Sequence, residues 1–96
     1  MVEGIIWTQK ALYDLRTIFN YIVKDSKLYA DRTIRTIILK AGSIKRFPLA
    51  GRTVLEFEDE TIREVFYKQY RIIYKLEGSL IYIVRIYHSA RLLTAL

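Results

Sequence analysis

Apolar residues recur at spacings of three and four over residues 11–22, which is the period of an amphipathic α-helix. The recurring positions are Ala11, Leu12, Leu15, Ile18, Phe19 and Ile22. Thr8 stands just before them, where its hydroxyl can accept a hydrogen bond from an unpaired N–H group of the first turn. The pattern therefore predicts a first helix over about residues 9–24.

The same spacing returns after Asp25-Ser26, which can end the first helix and cap a second one. Its apolar positions are Ala30, Ile34, Ile37, Ile38, Ala41 and Ile44. Phe47-Pro48 stops the pattern, because a residue before proline avoids the helical conformation. We predict a second helix over about residues 27–46, and hence a helical hairpin whose apolar stripe is buried against another layer. The predicted contacts are Leu15, Ile18, Ile22, Ile34, Ile37 and Ile38.

Three later stretches are rich in β-branched and aromatic residues and are separated by short turns. They span residues 62–67, 70–76 and 80–87. Gly4 to Trp7 predicts a further strand, whereas residues 48–61 show no regular pattern. The order predicts an α+β fold, in which an N-terminal strand and a helical hairpin precede an antiparallel meander packed under the two helices.

The composition is that of a small globular protein. Ninety-six residues with 52% hydrophobic and 27% charged side chains can form one core, so we expect a single domain over residues 1–96. The chain has no cysteine and one histidine, which excludes disulfides, thiolate nucleophiles and multi-histidine metal sites. We expect no metal and no cofactor. Because no apolar run approaches ~20 residues and the N-terminus lacks a signal-peptide pattern, we also expect a cytoplasmic protein without a membrane partner.

The net charge of +6 favours an anionic partner. Residues 1–46 carry most of the excess, with nine basic and four acidic side chains. Nucleic acid and an acidic protein both fit this distribution. One functional hypothesis is therefore a non-toxic adaptor that binds nucleic acid or protein through its basic second helix.

A series of short strings over nearly the whole chain carries a family resemblance. They are Trp7-Thr8, Ala11, Asp14-Leu15, Ile18-Phe19-Asn20-Tyr21-Ile22, Asp25-Ser26, Phe47-Pro48-Leu49-Ala50-Gly51-Arg52, Arg63-Glu64, Tyr70-Arg71-Ile72-Ile73-Tyr74 and Tyr87-His88-Ser89-Ala90-Arg91. In this order the chain resembles the RelE/ParE superfamily of toxins from type II toxin–antitoxin modules, often labelled plasmid stabilisation proteins. The resemblance implies a growth-arresting bacterial toxin whose partner is a cognate antitoxin, in a toxin–antitoxin hetero-oligomer.

The resemblance is closer to ParE-type than to RelE-type toxins, through the Phe-Pro-x-x-Gly-Arg segment, Arg63-Glu64 and the ending Tyr87 to Arg91. It implies a toxin that performs no catalysis itself and poisons DNA gyrase, so that the topoisomerase leaves broken DNA. The residues expected to bind the target are Arg63, Arg71, Arg85, His88 and Arg91.

The alternative implied by the resemblance is a RelE-like, metal-independent endoribonuclease that cleaves messenger RNA on the ribosome. That reaction needs a base for the 2′-hydroxyl, cations for the developing phosphorane charge and an acid for the leaving oxygen. The catalytic candidates are Arg63, Arg71, Tyr87, His88 and Arg91. Arg71 matches an arginine that contacts phosphate in RelE-like nucleases, and Tyr87-His88 resembles, in reversed order, a His-Tyr pair of a related nuclease subgroup.

The alternation of side chains along a strand also predicts structural roles for some of these residues. Arg71 should lie on the sheet face away from the helices, where Glu64 or Glu77 could pair with it. Arg63 and Glu64 should point to opposite faces, which favours a cross-strand partner for Arg63. Five strand tyrosines could stack on nucleic-acid bases, although such rings more often pack within the protein. They are Tyr67, Tyr70, Tyr74, Tyr82 and Tyr87.

Overall fold

The computed structural model describes residues 2–88, which form the α+β fold predicted from the sequence. The elements are β1 (Gly4–Trp7), α1 (Gln9–Ile22), α2 (Lys27–Ser43), β2 (Arg52–Thr53), β3 (Ile62–Tyr67), β4 (Tyr70–Glu77) and β5 (Leu80–His88). Neither helix in this range is long and apolar enough to cross a membrane.

The five strands form one sheet in the order β1-β5-β4-β3-β2. β3, β4 and β5 are successive antiparallel neighbours, which confirms the predicted meander. β1 instead runs parallel to β5, with Gly4 opposite Leu80 and Trp7 opposite Ile83. A parallel pair needs a long crossover connection, and the chain that includes both helices supplies it. The two-residue β2 lies within the stretch predicted to be irregular and pairs with β3.

Both helices begin where the sequence predicted, and both end earlier. Thr8 and Ser26 are the N-caps, and their hydroxyls accept hydrogen bonds from first-turn N–H groups. α1 ends at Ile22 and α2 at Ser43, instead of near residues 24 and 46. From residue 44 to residue 47 each backbone N–H bonds a carbonyl three residues back. The chain thus tightens into successive turns before it reaches Pro48.

The sheet face under the helices, called the helix face below, carries the main core. Its buried members are Ala11, Leu15, Ile37, Ala41, Ile44, Tyr70, Ile72, Tyr74, Ile81, Ile83 and Ile86. Ile22 is also buried, and Ile18 and Ile34 pack against the core at its margin. Five of the six predicted helix contacts are therefore buried or partly buried.

Two apolar positions of the predicted stripes face solvent instead. Ile38 is 46% exposed and Leu12 is 50% exposed. The buried stripe of α2 runs through Ile37 and includes Thr33, and Ile38 lies about 100° from Ile37 around the helix axis. The prediction was wrong for Ile38 because it widened the stripe beyond the side that contacts the sheet.

The opposite side of the sheet, called the second face below, carries a smaller cluster. Its buried members are Val54, Ile62 and Ile73, with Phe57, Val84 and Tyr87 packed against them. Val54 and Phe57 belong to the segment of residues 54–61 that links β2 to β3. This segment therefore covers part of the sheet face that the helices leave open.

A β-bulge in β5 decides which of its side chains enter the main core. The register between β4 and β5 shifts after Ile83, so that Val84 is an additional residue on β5. Strict alternation would have placed Arg85 on the helix face. Because of the bulge, Ile86 lies on the helix face instead, where it is 3% exposed.

Replacing Ile37 by Ala should lower the free energy of unfolding by ~2–5 kcal/mol, because Ile37 is fully buried and its loss leaves a cavity between α2 and the sheet. Leu39→Ala is the matched control on the same helix, since Leu39 is 68% exposed, and it should change this free energy by at most about 0.5 kcal/mol. Urea denaturation measures both values. Equal losses would contradict the assignment of the buried side of α2.

Candidate functional site

The structure brings three of the residues singled out from the sequence together, namely Arg71, Arg85 and Tyr87, and separates the others from them. Arg71 and Tyr87 lie on the second face, whereas Arg63 lies on the helix face beside its cross-strand neighbour Tyr74. Arg85 follows the bulge and His88 ends β5. Arg91 lies outside the described residues.

Arg71 is at the centre of a set of charged side chains on the second face. Its Nε donates to Glu64 Oε1 at 2.6 Å, and its Nη1 and Nη2 donate to the two carboxylate oxygens of Glu56 at 2.8 and 2.9 Å. The second oxygen of Glu64 accepts a hydrogen bond from Arg52 Nε at 2.8 Å. We call Arg52, Glu56, Glu64 and Arg71 the charge network; its two positive and two negative charges balance.

The centre of the charge network is removed from water, whereas the side chain of Arg52 at its margin is 58% exposed. The side chain of Glu64 has no exposed surface and that of Arg71 is 6% exposed. Hydrogen bonding to Glu56 raises the pKa of the Arg71 guanidinium, Glu64 raises it further, and burial opposes both. Arg71 therefore stays charged. The carboxylate of Glu56, which comes from the segment that covers the second face, thus occupies a position across Nη1 and Nη2 where a phosphate group would bind.

The Phe-Pro-x-x-Gly-Arg segment forms a turn fastened to the helix face. The Tyr74 hydroxyl donates to the Pro48 carbonyl at 2.7 Å and accepts from the Gly51 N–H at 3.1 Å. Arg63 Nη1 donates to the Gly51 carbonyl at 2.9 Å. A Cβ atom at residue 51 would lie 2.7 Å from the Glu64 carbonyl oxygen and against the Tyr74 hydroxyl, so glycine is needed there for close approach. In this structure Arg63 thus anchors the turn.

Arg85 forms an ion pair with Asp14 of α1. Its Nε and Nη2 donate to the two oxygens of Asp14 at 2.8 and 2.9 Å, and the backbone N–H of Ile86 donates to the same carboxylate at 2.9 Å. β1 ends at Trp7, opposite Ile83, so the N–H group of Ile86 lies beyond the reach of β1. The Asp14 carboxylate accepts its hydrogen bond instead. Hydrogen bonding to Asp14 raises the pKa of Arg85 against the effect of burial. Asp14 therefore joins α1 to the edge of the sheet.

Tyr87 and His88 are neighbours in β5 but occupy different surroundings. Tyr87 packs against the second-face cluster, and the Arg85 guanidinium lies 4.6 Å from the centre of its ring. His88 is exposed, and its ring meets Tyr70 edge-on with centroids 6.2 Å apart. The two side chains therefore do not act together on one substrate atom in this conformation.

Two of the three carboxylates that hold these arginines, Asp14 and Glu56, were not predicted as their partners from the sequence. Asp14 carried a signal, because it is an acidic residue on the apolar side of α1, beside Ala11 and Leu15. Glu64 was considered as a partner of Arg71, and this pairing is confirmed. No feature of the sequence indicated that Glu56 pairs with Arg71, since Glu56 lies in an acidic cluster within the irregular stretch. Within residues 2–88 no three acidic or histidine side chains are grouped so that they could hold a metal ion.

The arrangement of these elements matches a known family over most of the chain. The sequence model described as "ParE toxin of type II toxin-antitoxin system, parDE" matches residues 5–93. The match includes both helices, the charge network and nearly all of the sheet. The chain belongs to this family. It is accordingly a toxin of the ParE/RelE superfamily, as the resemblance of its sequence implied.

Individual relatives agree with this assignment. Toxin RelE2 from Caulobacter vibrioides is 38% identical over 89 residues, which cover 92% of this chain and 97% of the relative. A solved structure of the chromosomal ParDE TA system from P. aeruginosa matches with a TM-score of 0.75 and covers 92% of this chain and 96% of that chain. Its sequence identity is 22%, so this second likeness is one of fold.

Changing Glu64 to Gln should lower the free energy of unfolding by roughly 3 kcal/mol or more, because the buried guanidinium of Arg71 loses a charged partner. Asp31→Asn is the matched control. It breaks the exposed Lys27–Asp31 pair of α2, whose nitrogen and oxygen lie 3.0 Å apart, and should cost at most about 0.5 kcal/mol. Urea denaturation at neutral pH measures both variants. A loss at Glu64 as small as the control would contradict a structural role for the charge network.

Proposed function

We propose that this chain is the toxin of a type II toxin–antitoxin module that inhibits DNA gyrase in the cytoplasm, is neutralised by a cognate antitoxin, and performs no catalysis of its own. The main observation behind the proposal is that Arg71 is buried and paired with carboxylates. The phosphate-binding candidate of a nuclease mechanism is 5% exposed here, and three of its hydrogen bonds go to Glu56 and Glu64. The family match to ParE toxins supports the same reading.

The separation of the other candidates also favours a non-catalytic toxin. Cleavage of RNA by its own 2′-hydroxyl needs a base, an acid and a cation placed around one phosphate. Arg63 is committed to the turn at residues 48–51, and Tyr87 lies on the opposite sheet face from Tyr70, the ring partner of His88. Arg71 and Tyr87 are cross-strand partners on the second face, but the carboxylate of Glu56 lies across the guanidinium of Arg71. A gyrase poison needs no such arrangement, because the topoisomerase itself cuts the DNA.

Cleavage of messenger RNA on the ribosome is the second candidate function. Two observations favour it: the relative from Caulobacter vibrioides carries RelE in its name, and His88 is exposed at the rim of a cleft of about 460 Å³. An imidazole in that position is accessible to a substrate.

The outer side of α2 offers a surface for the antitoxin. Leu28, Arg32, Arg35 and Leu39 fall within an arc of about 60° on the side of the helix away from the core. The two leucines are 69% and 68% exposed, and both arginines are exposed. This mixture of apolar and positive side chains suits an acidic, amphipathic segment that folds on binding. The proposed antitoxin would thus bind through both apolar contact and charge.

The gyrase assignment predicts a result that separates the two mechanisms. The purified chain should convert supercoiled DNA to cleaved product only when gyrase is present, and translating ribosomes treated with the same preparation should show no codon-positioned messenger cuts. Tyr87→Phe should leave the gyrase effect intact, because the variant keeps the packed ring and the toxin transfers no proton. A nuclease that used this hydroxyl would lose ~10² to 10⁴ in rate. Messenger cuts without a gyrase effect would overturn the proposal.

The antitoxin proposal predicts a change in association rate. Replacing Arg32 and Arg35 together by Glu should slow binding of the adjacent gene's acidic product by ~10-fold or more at low salt, since charge complementarity acts mainly on the on-rate. Arg16→Glu, an exposed charge reversal on α1 that changes the net charge by half as much, is the comparison and should slow binding by much less than half of the effect on a logarithmic scale. Surface plasmon resonance at two salt concentrations measures the rates. An unchanged on-rate in the double variant would exclude this side of α2 as the antitoxin surface.

A further inference from the structure

Four of the chain's eight tyrosines gather at one end of the molecule, where the turn between α1 and α2 meets the turn between β3 and β4. We call Tyr21, Tyr29, Tyr67 and Tyr70 the tyrosine cluster. The Lys68 ammonium lies 5.4 Å from the ring centre of Tyr29 and 5.6 Å from that of Tyr67. Burial raises the pKa of Tyr70, and the nearby phenols of Tyr29, Tyr21 and Tyr67 raise it further. Two helices and a hairpin thus bring four rings together.

The tyrosine cluster borders an open cleft and is not simply part of the core. The cleft has a volume of about 460 Å³ and is lined by Thr17, Ile18, Tyr21, Gln69, Tyr70 and His88. Tyr70 closes its floor at 9% exposure, whereas Tyr21 is 72% exposed and Tyr29 is 41% exposed. Rings exposed to that extent add little to the core. Their exposure beside a concave surface is what a stacking partner requires.

The side chains around the cleft favour an anionic ligand with flat rings. Lys68 already places a cation over two of the tyrosine rings, so a cationic ligand would find that position occupied and would be repelled. A phosphate group would be attracted to the same ammonium. The Gln69 amide, which hydrogen-bonds Tyr70, and the tyrosine hydroxyls make this surface polar, which suits a nucleotide better than an apolar peptide.

We propose that the tyrosine cluster is a binding site for single-stranded nucleic acid, in which an unpaired base stacks on Tyr21 at the cleft and Lys68, held over the rings of Tyr29 and Tyr67, contacts the backbone phosphate. Stacking of this kind tolerates any base sequence and needs bases that are not paired, because paired bases in a duplex do not expose their flat faces. The site would let the toxin engage opened strands at its target. The proposal rests on the cluster itself and holds for a gyrase poison and for a nuclease alike.

Fluorescence anisotropy with the full-length chain tests the proposal in the absence of gyrase and ribosomes. The probes are a labelled oligothymidylate of about 12 nucleotides and a duplex of the same length. At roughly 50 mM salt the single strand should bind more tightly than the duplex, and binding should weaken as salt rises. Tyr21→Ala should weaken binding of the single strand by about 5- to 150-fold, whereas Tyr21→Phe should bind like the unchanged chain because stacking needs the ring and not the hydroxyl.

Tyr13→Ala is the matched control. Tyr13 lies on the same helix, is 65% exposed and is outside the cluster, so its loss should not change binding. Because Tyr21 and Tyr13 are both exposed, both variants should keep the thermal stability of the unchanged chain.

Equal affinity for single strand and duplex, or equal weakening by the two alanine variants, would overturn the proposal and indicate binding by net charge. Displacement by polyglutamate with no dependence on Tyr21 would also overturn it, in favour of an acidic protein ligand. The gyrase assay is separate, so failure here leaves the proposed function untouched.

Discussion

Glu64 is a carboxylate whose side chain has no exposed surface, on the strand β3 between β4 and the edge strand β2. A charge in that position is tolerated only when it is paired and its oxygens are hydrogen-bonded. Arg71 and Arg52 meet this condition, one on each oxygen, and Arg71 in turn draws Glu56 onto the sheet. Through Glu56 the pair holds the segment of residues 54–61 over the second face. The covered face, the small apolar cluster beneath it and the position of β2 all depend on this arrangement.

The charge network also bears on how the toxin can act. With Glu56 across the two Nη atoms of Arg71, the part of the second face around this guanidinium is covered and its charge is paired, where an active site would need an accessible cation. The surfaces left for recognition are outside it: the mixed apolar and positive side of α2, and the tyrosine cluster beside the β3–β4 turn. Such a division fits the proposed function by binding, in which the first surface is proposed for the antitoxin and the second for single-stranded nucleic acid.

The sequence predicted the parts of this fold that depend on local pattern. Apolar spacing located both helices, alternation located the meander, and alternation also put Arg71 on the second face within reach of Glu64. What it missed depends on contacts between distant residues or on features with no local signal. Asp14 binds Arg85 across 71 positions, and Glu56 binds Arg71 across 15. The bulge at Val84 also has no signal in the sequence, because the strand that contains it looks like a regularly alternating one. It becomes visible only in the hydrogen-bonding register between β4 and β5.

The most direct measurement of the central claim is the hydrogen-exchange rate of the Arg71 Nε–H group, observed by NMR in the free protein near neutral pH. This N–H donates to the buried Glu64 carboxylate at 2.6 Å, so its exchange should require opening of the second face and be slower than that of exposed Arg32 by roughly 100-fold or more. An Arg71 group that exchanges as fast as that of Arg32 would contradict the account, because the guanidinium would then be open to solvent and to a phosphate.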